Sequence, residues 1–396
     1  MHTEPTQTPD NGGADGDAAL LSEALGVPAS VLRPFSREPL GEGSVTGFEL
    51  QGASALPPSP DRPGFPDGTV AYVDTSRLPV AKETGLALEG VARVWFHPAD
   101  PHLPALAPAA YGDAAAVLLA RLGADAAGPP QIVGYRPGRR AVLRAPTTDG
   151  DLWVKVVRPS RIERVVAAHA RLHEHGVPVP AVRGWSPEGL LVLESASGIP
   201  ATSAQWEPAA LLREVDALRA RLATAALEWP ARTSLAARLP WYLDRLRAAL
   251  PAHAALVEDI ARRVQAGLAA RPGALATIHG DLHLGQLFLD SDGRLTGIID
   301  VDTAGAGHPS EDAAAFLGHA ISSALLTEVQ GRDAARVWAL AAAARERWAV
   351  DSLTRALTAV HLLGHALGAA SGGDPQRAQT LLDHAAETAP SAATET

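Results

Sequence analysis

From Gly198 onward the chain is patterned for helix almost without interruption, and a single segment, 276–306, breaks that pattern. Apolar residues recur at three- and four-residue spacing over 207–226, 233–250, 254–270, 310–329, 331–347, 350–369 and 374–387, which predicts seven amphipathic helices. The interruption reads as loop, short strand, turn, strand, loop, with its acids at the loop positions. Polar loops on a helical scaffold are where binding and catalytic side chains concentrate.

The preceding stretch has the opposite texture. QIVGYRPGRRAVLRAP, from Gln131, is strand, tight Pro137-Gly138 turn, strand; TTDGD is a second hairpin turn and LWVKVVRP a third strand. Ser160–His175 then carries Ile162, Val165, Val166 and Leu172 on one helical face, with Ser160-x-x-Glu163 as a capping box and Gly176 as its stop. VPVPAV at 177–182 and GLLVLES at 189–195 add two extended pieces, so the order is three strands, one helix, two strands. Strands and helices segregated in this way predict an α+β fold. The expected organisation is a disordered tail over 1–17, an N-terminal α+β cap over 18–127, a β-rich small lobe over 128–198, a helical large lobe over 199–386 and a short tail over 387–396. Within the cap, Ala18–Leu25 and Tyr111–Leu122 read as helices and Thr69–Thr75 and Val91–Phe96 as strands, while proline breaks the pattern from Leu25 to about Gly68.

Composition removes several classes of function. A net charge of −10 argues against nucleic acid or anionic membrane as partner. The absence of cysteine excludes disulfides and thiolate chemistry. The first residues are polar and acidic, unlike a leader peptide, and no apolar run reaches the roughly 18 residues of a membrane span; a soluble cytoplasmic protein is expected. Of the 34 basic residues only Lys82 and Lys155 are lysine. A lysine retained within a strand, where arginine serves nearly everywhere else, is a candidate for chemistry that a planar guanidinium cannot perform.

His279-Gly280-Asp281, then Gln286, then Ile299-Asp300 at the end of the next strand, is an inventory suited to phosphoryl transfer. One carboxylate orients an acceptor hydroxyl, a second acid and an amide hold Mg²⁺ on the phosphates, and a strand cation neutralises phosphate oxygens. HGDLHLGQ at 279–286 resembles the HGDxxxxN catalytic loop of the aminoglycoside phosphotransferase family, which shares a protein-kinase-like two-lobed fold with choline kinases and some bacterial sugar kinases. IID at 298–300 is similar to the family's metal-binding strand end, LESASG at 193–198 to its hinge, and Asp312 falls at its downstream acid. The resemblance spans about 128–385. It implies ATP and Mg²⁺ as cofactors, Asp281 as the catalytic carboxylate, and Gln286 and Asp300 as metal ligands. It further implies His279 and Asp312 as supports of the loop, and Lys155, Glu163, Glu194 and Ala196 as nucleotide contacts, with Arg139 and Arg140 expected to replace backbone amides as phosphate contacts.

Three departures stand out. Gln286 replaces asparagine, as in maltokinase- and glucosamine kinase-like loops. Val166 occupies the position one turn beyond Glu163 where the family's helix acid lies, and YRPGRR is not a glycine-rich phosphate loop. The expected activity is transfer of the γ-phosphate of ATP to a hydroxyl of a small polar metabolite, a sugar or amino sugar ahead of an aminoglycoside. Glu207, Glu214, Asp216, Glu228, Asp244, Glu258 and Asp259 lie mostly beside arginines, spaced like solvated helix faces rather than a drug-binding anionic cluster. Two other readings stay open: a nucleotide-binding regulator without turnover, and a metal-dependent hydrolase built on His279, Asp281, His283, Asp300 and His308.

Overall fold

A computed structural model describes residues 11–52, 65–80, 82–88, 90–232, 234–269 and 273–391. Two compact units divide the chain: a β-rich unit running to Val166 and including Ala181–Ser195, and a helical unit comprising Ala167–Pro180 and everything from Ala196. The cap and the small lobe, expected as separate domains, thus form one unit. One boundary between the units falls at Ser195/Ala196, inside LESASG.

The β-rich unit opens with helix α1 (Asn11–Leu25). Strands β1 (Leu32–Leu40), β2 (Gly43–Leu50), β3 (Val70–Asp74), β4 (Leu86–Leu88) and β5 (Ala92–Phe96) form an antiparallel sheet of order β1-β2-β3-β5-β4. Alternation sends Phe48, Leu50, Ala71, Val73 and Val94 against Leu21 and Leu25 of α1, and Val45, Tyr72 and Trp95 to the opposite face. The β1–β2 hairpin lies where proline had argued against regular structure; β1 is an edge strand, so Pro34 and Pro39 fit without interrupting a central ladder. Residues 11–17, expected as disordered tail, are helical because Ala14 and Asp17 are buried and the Asp17 carboxylate accepts from Thr46 and Arg37. The rest of the expected tail, 1–10, lies outside the described residues.

Helices α2 (Leu106–Ala110) and α3 (Gly112–Arg121) lead to β6 (Gln131–Arg136), β7 (Arg140–Thr147) and β8 (Gly150–Val157), then α4 (Pro159–Glu174), β9 (Val182–Ser186) and β10 (Leu190–Leu193). The sheet order is β6-β7-β8-β10-β9. One face buries Leu143, Val154, Val156 and Val192 against Leu106 and Leu119, and the other packs Val157, Leu191 and Leu193 on Ile162 and Val165 of α4. Helix α4 starts at Pro159, so Ser160 lies within its first turn rather than ahead of it, and the expected capping box is not the helix start.

Asp100 ties the two sheets of this unit together. It is 1% exposed and accepts from the Gly138 amide at 2.7 Å, the Tyr135 hydroxyl at 2.9 Å and the His102 amide at 2.9 Å. Gly138 belongs to the turn joining β6 and β7 and Tyr135 to the end of β6, and Arg158 donates to the Gly138 carbonyl at 2.7 Å.

In the helical unit, α5 (Pro208–Thr224), α6 (Leu239–Ala249) and α7 (Ala254–Leu268) precede the interruption, and α8 (Pro309–Val329), α9 (Ala335–Trp348), α10 (Ser352–Ser371) and α11 (Pro375–Thr388) follow it. The expected boundaries match to within a few residues, except that α6 begins at Leu239. Strand β11 (Ile199–Pro200), which precedes α5, pairs with β13 (Leu287–Leu289) of the interruption, which pairs with β14 (Leu295–Ile298). β12 (Ala276–Ile278) pairs antiparallel with β15 (Gly305–Gly307). That last pairing closes the interrupting segment at both ends, so its loops are held as a unit.

Replacing Asp100 by alanine removes the acceptor for three donors, two of them buried backbone amides. The expected result is a loss of about 3 kcal/mol of unfolding free energy, and a smaller loss for Asp100→Asn, which keeps one carbonyl acceptor. Denaturant titration of the three proteins checks this; an unchanged midpoint for the alanine variant would remove Asp100 as the anchor.

Candidate active site

The loop following β12 is built on one buried carboxylate. Asp312, 1% exposed in the first turn of α8, accepts the His279 amide on Oδ2 at 2.8 Å and the Gly280 amide on Oδ1 at 2.8 Å. Burial pushes its carboxyl up and the two amides and His279 pull against that. The His279 ring donates through Nε2 to the Ile299 carbonyl at 3.1 Å, and Thr303 Oγ1 donates to the His279 carbonyl at 2.8 Å. Gly280 has φ +82°, and a Cβ there would lie 2.7 Å from the Thr303 carbonyl oxygen, so only glycine fits. Asp281 follows immediately.

Gln286 is 3% exposed. Its Oε1 accepts the His283 amide at 3.0 Å while His283 Nδ1 accepts the Gly285 amide at 3.1 Å, a reciprocal cap of the short turn Leu284–Gln286. The Ile299 amide donates to the Gln286 carbonyl at 3.1 Å, which places Asp300 just beyond Gln286. Asp300 holds φ +65°, a left-handed conformation that costs a non-glycine residue about 1 kcal/mol. Such strain is tolerated where the surrounding contacts over-determine it, commonly at functional sites.

Asp281 is flanked by a guanidinium and an imidazole that the sequence reading did not single out. Arg232 donates through Nη1 to Asp281 Oδ2 at 2.8 Å, and His319 Nε2 lies 3.8 Å from Oδ1. Arg232 reaches this position because the stretch before it lies along the loop after Asp300: the Ala231 amide donates to the Ala306 carbonyl and the Arg232 amide to the Thr303 carbonyl, both at 2.9 Å. Burial would raise the Asp281 carboxyl, but His319 and the Arg232 guanidinium outweigh it and hold the group well below the usual carboxylate range. Burial, with His319 second, lowers His283 to about 3, so its ring is neutral near pH 7. Burial likewise lowers His361 to about 3 and His365 well below its ordinary value. Arg232 also lines a cavity of about 410 Å³ with Ser234, Ala306, His308 and Glu311.

The nucleotide candidates lie as follows. Lys155 is 7% exposed in β8, on the face that packs against α4, since its neighbours Trp153 and Val157 belong to that apolar cluster. Glu163 is exposed, one turn into α4. Arg139 donates to the Pro39 carbonyl and lies 3.6 Å from Glu38, so it turns toward β1; Arg140 opens β7 opposite Val157. The Gly138 amide, a natural phosphate donor in such a turn, is held by Asp100. Glu194 is exposed and pairs with Arg183 at 3.3 Å, and Ala196 lies just beyond the boundary between the units.

Among the described residues no group of three or more His, Asp or Glu side chains converges as metal ligands would. The hydrolytic centre considered from the sequence does not assemble: His308 caps α8 by accepting the Ser310 amide, and His279 is taken up by Ile299. Among the described residues no helix is long and apolar enough to cross a membrane.

Arg232, His319, His361, His365 and Asp100 are the residues that sequence reasoning missed. Only His361 and His365 carried a readable signal, two imidazoles at i,i+4 on one predicted helix.

Several solved structures are similar in fold. A macrolide 2'-phosphotransferase from Brachybacterium faecium is 23% identical over 71% of this chain and 99% of its own, with a TM-score of 0.42. An aminoglycoside phosphotransferase from Streptomyces rimosus, solved with ADP and streptomycin, is 23% identical over 64% of this chain and 97% of its own, with a TM-score of 0.41. A choline/ethanolamine kinase family protein from Mesorhizobium loti is 21% identical over 70% and 98%, with a TM-score of 0.44. Among curated proteins none matches. The sequence profile of the phosphotransferase enzyme family matches residues 136–325, a span that holds Lys155, the β6–β7 turn, the 279–286 loop, Asp300 and Asp312. Over these residues the chain resembles the phosphotransferase enzyme family.

Proposed function

We propose that the chain transfers the γ-phosphate of ATP to a hydroxyl of a sugar or amino sugar, with Asp281 as the carboxylate that meets the acceptor. The observation that carries this reading is the loop geometry. A buried acid fixes the backbone on which Asp281 sits, and the same segment sets Gln286 beside Asp300. Oδ2 of Asp281 is engaged by Arg232, and Oδ1, with His319 Nε2 3.8 Å away, accepts the hydrogen bond of the incoming hydroxyl. The hydroxyl oxygen bonds to the γ-phosphorus, the bridging bond to ADP breaks with its electron pair leaving on ADP, and the hydroxyl proton passes to Asp281 and on to solvent. A carboxyl held so far below its ordinary pKa is a weak base, so Asp281 acts mainly by orienting the hydroxyl and takes the proton late. That suits the loose transition state of phosphoryl transfer.

Gln286 and Asp300, on segments joined by the bond from the Ile299 amide to the Gln286 carbonyl, both offer oxygen donors, a set that fits Mg²⁺. They would hold it together with phosphate oxygens and water rather than in an all-protein cage. When bound, the ion supplies charge neutralisation on the phosphates. Lys155 supplies the strand cation, and 194–196 the backbone edge for the adenine.

Asp281→Asn is expected to bind ADP as the parent does and to lose about a hundredfold or more in kcat, the scale of a missing positioned base. Retention of a third of the activity would remove Asp281 from its role. Lys155→Arg keeps the charge but is expected to lose on the order of 2–4 kcal/mol in kcat/KM, because a bulkier fork displaces the phosphates; normal kinetics would make the lysine a bystander.

The depressed carboxyl of Asp281 also sets a pH dependence. Its ionised form persists as pH falls, so the parent's kcat shows no acid limb from this group above about pH 4. Arg232→Gln removes one opposing charge and leaves mainly His319 against burial, so the acid limb of kcat is expected to move to higher pH than in the parent. Superimposable kcat profiles for the two proteins would show that Arg232 does not tune Asp281.

A further inference from the structure

Helices α8 and α10 approach closely at Gly318, where a Cβ would lie 2.7 Å from Cβ of His361. This contact brings His319 of α8 alongside His361 and His365 of α10. The ring of His319 lies 4.8 Å from that of His365, 5.9 Å from that of His361 and 4.7 Å from that of His283, and its Nε2 faces Asp281 Oδ1. His361 and His365 are half-buried, and the side chains of His319 and Asp281 keep 28% and 25% of their exposure. The free side of the reactive carboxylate is therefore walled by imidazoles.

We infer that His319, His361 and His365, with Arg232, form the acceptor-recognition wall beside Asp281, and that this wall selects an uncharged polyhydroxylated acceptor over a polycationic one. The inference rests on the phosphotransferase reading above and narrows its substrate class.

A neutral imidazole offers one donor and one acceptor nitrogen, and a hydroxyl is likewise both, so a set of three rings can read neighbouring hydroxyls in either direction. Burial keeps His361 and His365 neutral at physiological pH, which preserves that dual character. An ammonium group offers donors only and meets Arg232, a permanent cation. A polycation needs several carboxylates, and five acids of the helical unit are committed elsewhere. Asp216 accepts from Arg219, Arg347 and Trp348, Glu214 from the Leu295 amide, and Asp244 and Glu258 from Arg247. Asp259 pairs with Arg262 and Arg263. Glu311 is the acid that shares a crevice with Arg232 and His361, and burial raises its carboxyl, which weakens its charge.

The test is a panel of glucose, maltose, glucosamine and kanamycin with Mg-ATP, read by mass spectrometry for phosphorylated product, beside ADP titration by calorimetry. The parent is expected to phosphorylate an uncharged sugar with kcat/KM about tenfold or more above that for kanamycin. His361→Gln and His365→Gln, each checked for an unchanged thermal midpoint, are expected to raise the sugar KM about tenfold, with kcat and ADP affinity little changed, as loss of a substrate hydrogen bond does. Preference for kanamycin, or an unchanged sugar KM in both variants, overturns the inference. So does ADP binding without turnover of any uncharged sugar, which leaves the family reading intact. Absence of both nucleotide binding and ATP consumption in the parent overturns the phosphotransferase reading and this inference with it.

Discussion

The candidate site depends on the carboxylate of Asp312. Two consecutive backbone amides, those of His279 and Gly280, point at its two oxygens, and this fixes the peptide planes immediately before Asp281. A buried carboxylate with fewer donors would protonate or draw in water, and the loop would lose its reference point. The bonds from His279 to Ile299 and from Thr303 to His279 carry the same constraint across to the strand that ends in Asp300. Asp281, Gln286 and Asp300 therefore belong to one hydrogen-bonded assembly and not to three independent loops, and positioning is most of what a protein contributes to phosphoryl transfer.

The β-rich unit repeats the device. Asp100 takes the amide of Gly138 and the hydroxyl of Tyr135, and so fixes the β6–β7 turn from the side of the N-terminal sheet. The cap is in this sense part of the small lobe's construction: its sheet face of Val45, Tyr72 and Trp95 packs on Tyr135, and Glu38 pairs with Arg136 and Arg139. A turn without the usual run of glycines lacks their freedom of backbone, and here side chains from a second sheet define its shape.

Much of this was legible in the sequence because it is carried by periodicity and local spacing. The seven helices of the helical unit follow from apolar repeats, the five strands and single helix of the small lobe from alternation and turn residues, and the 279–300 constellation from order alone. Contacts between segments distant in sequence were not legible. The β1–β2 hairpin was hidden by Pro34 and Pro39, which an edge strand tolerates. Residues 11–17 were polar enough to suggest disorder until Thr46 and Arg37 supplied partners for Asp17. Arg232 and His319 meet Asp281 from 49 residues upstream and from a separate helix, and no local pattern announces either. Asp312 and His279 were placed at the loop by resemblance, but the two-amide grip between them is a fact of geometry.

The most direct measurement is the fate of the γ-phosphate. Phosphorus NMR of the protein with Mg-ATP and a panel of polyhydroxylated acceptors distinguishes a new phosphate monoester from inorganic phosphate and from unreacted ATP. The expected result is a monoester resonance growing in step with ADP, its phosphorus attached to an acceptor oxygen. Bound but unconsumed ATP, or release of inorganic phosphate alone with every acceptor, would contradict it.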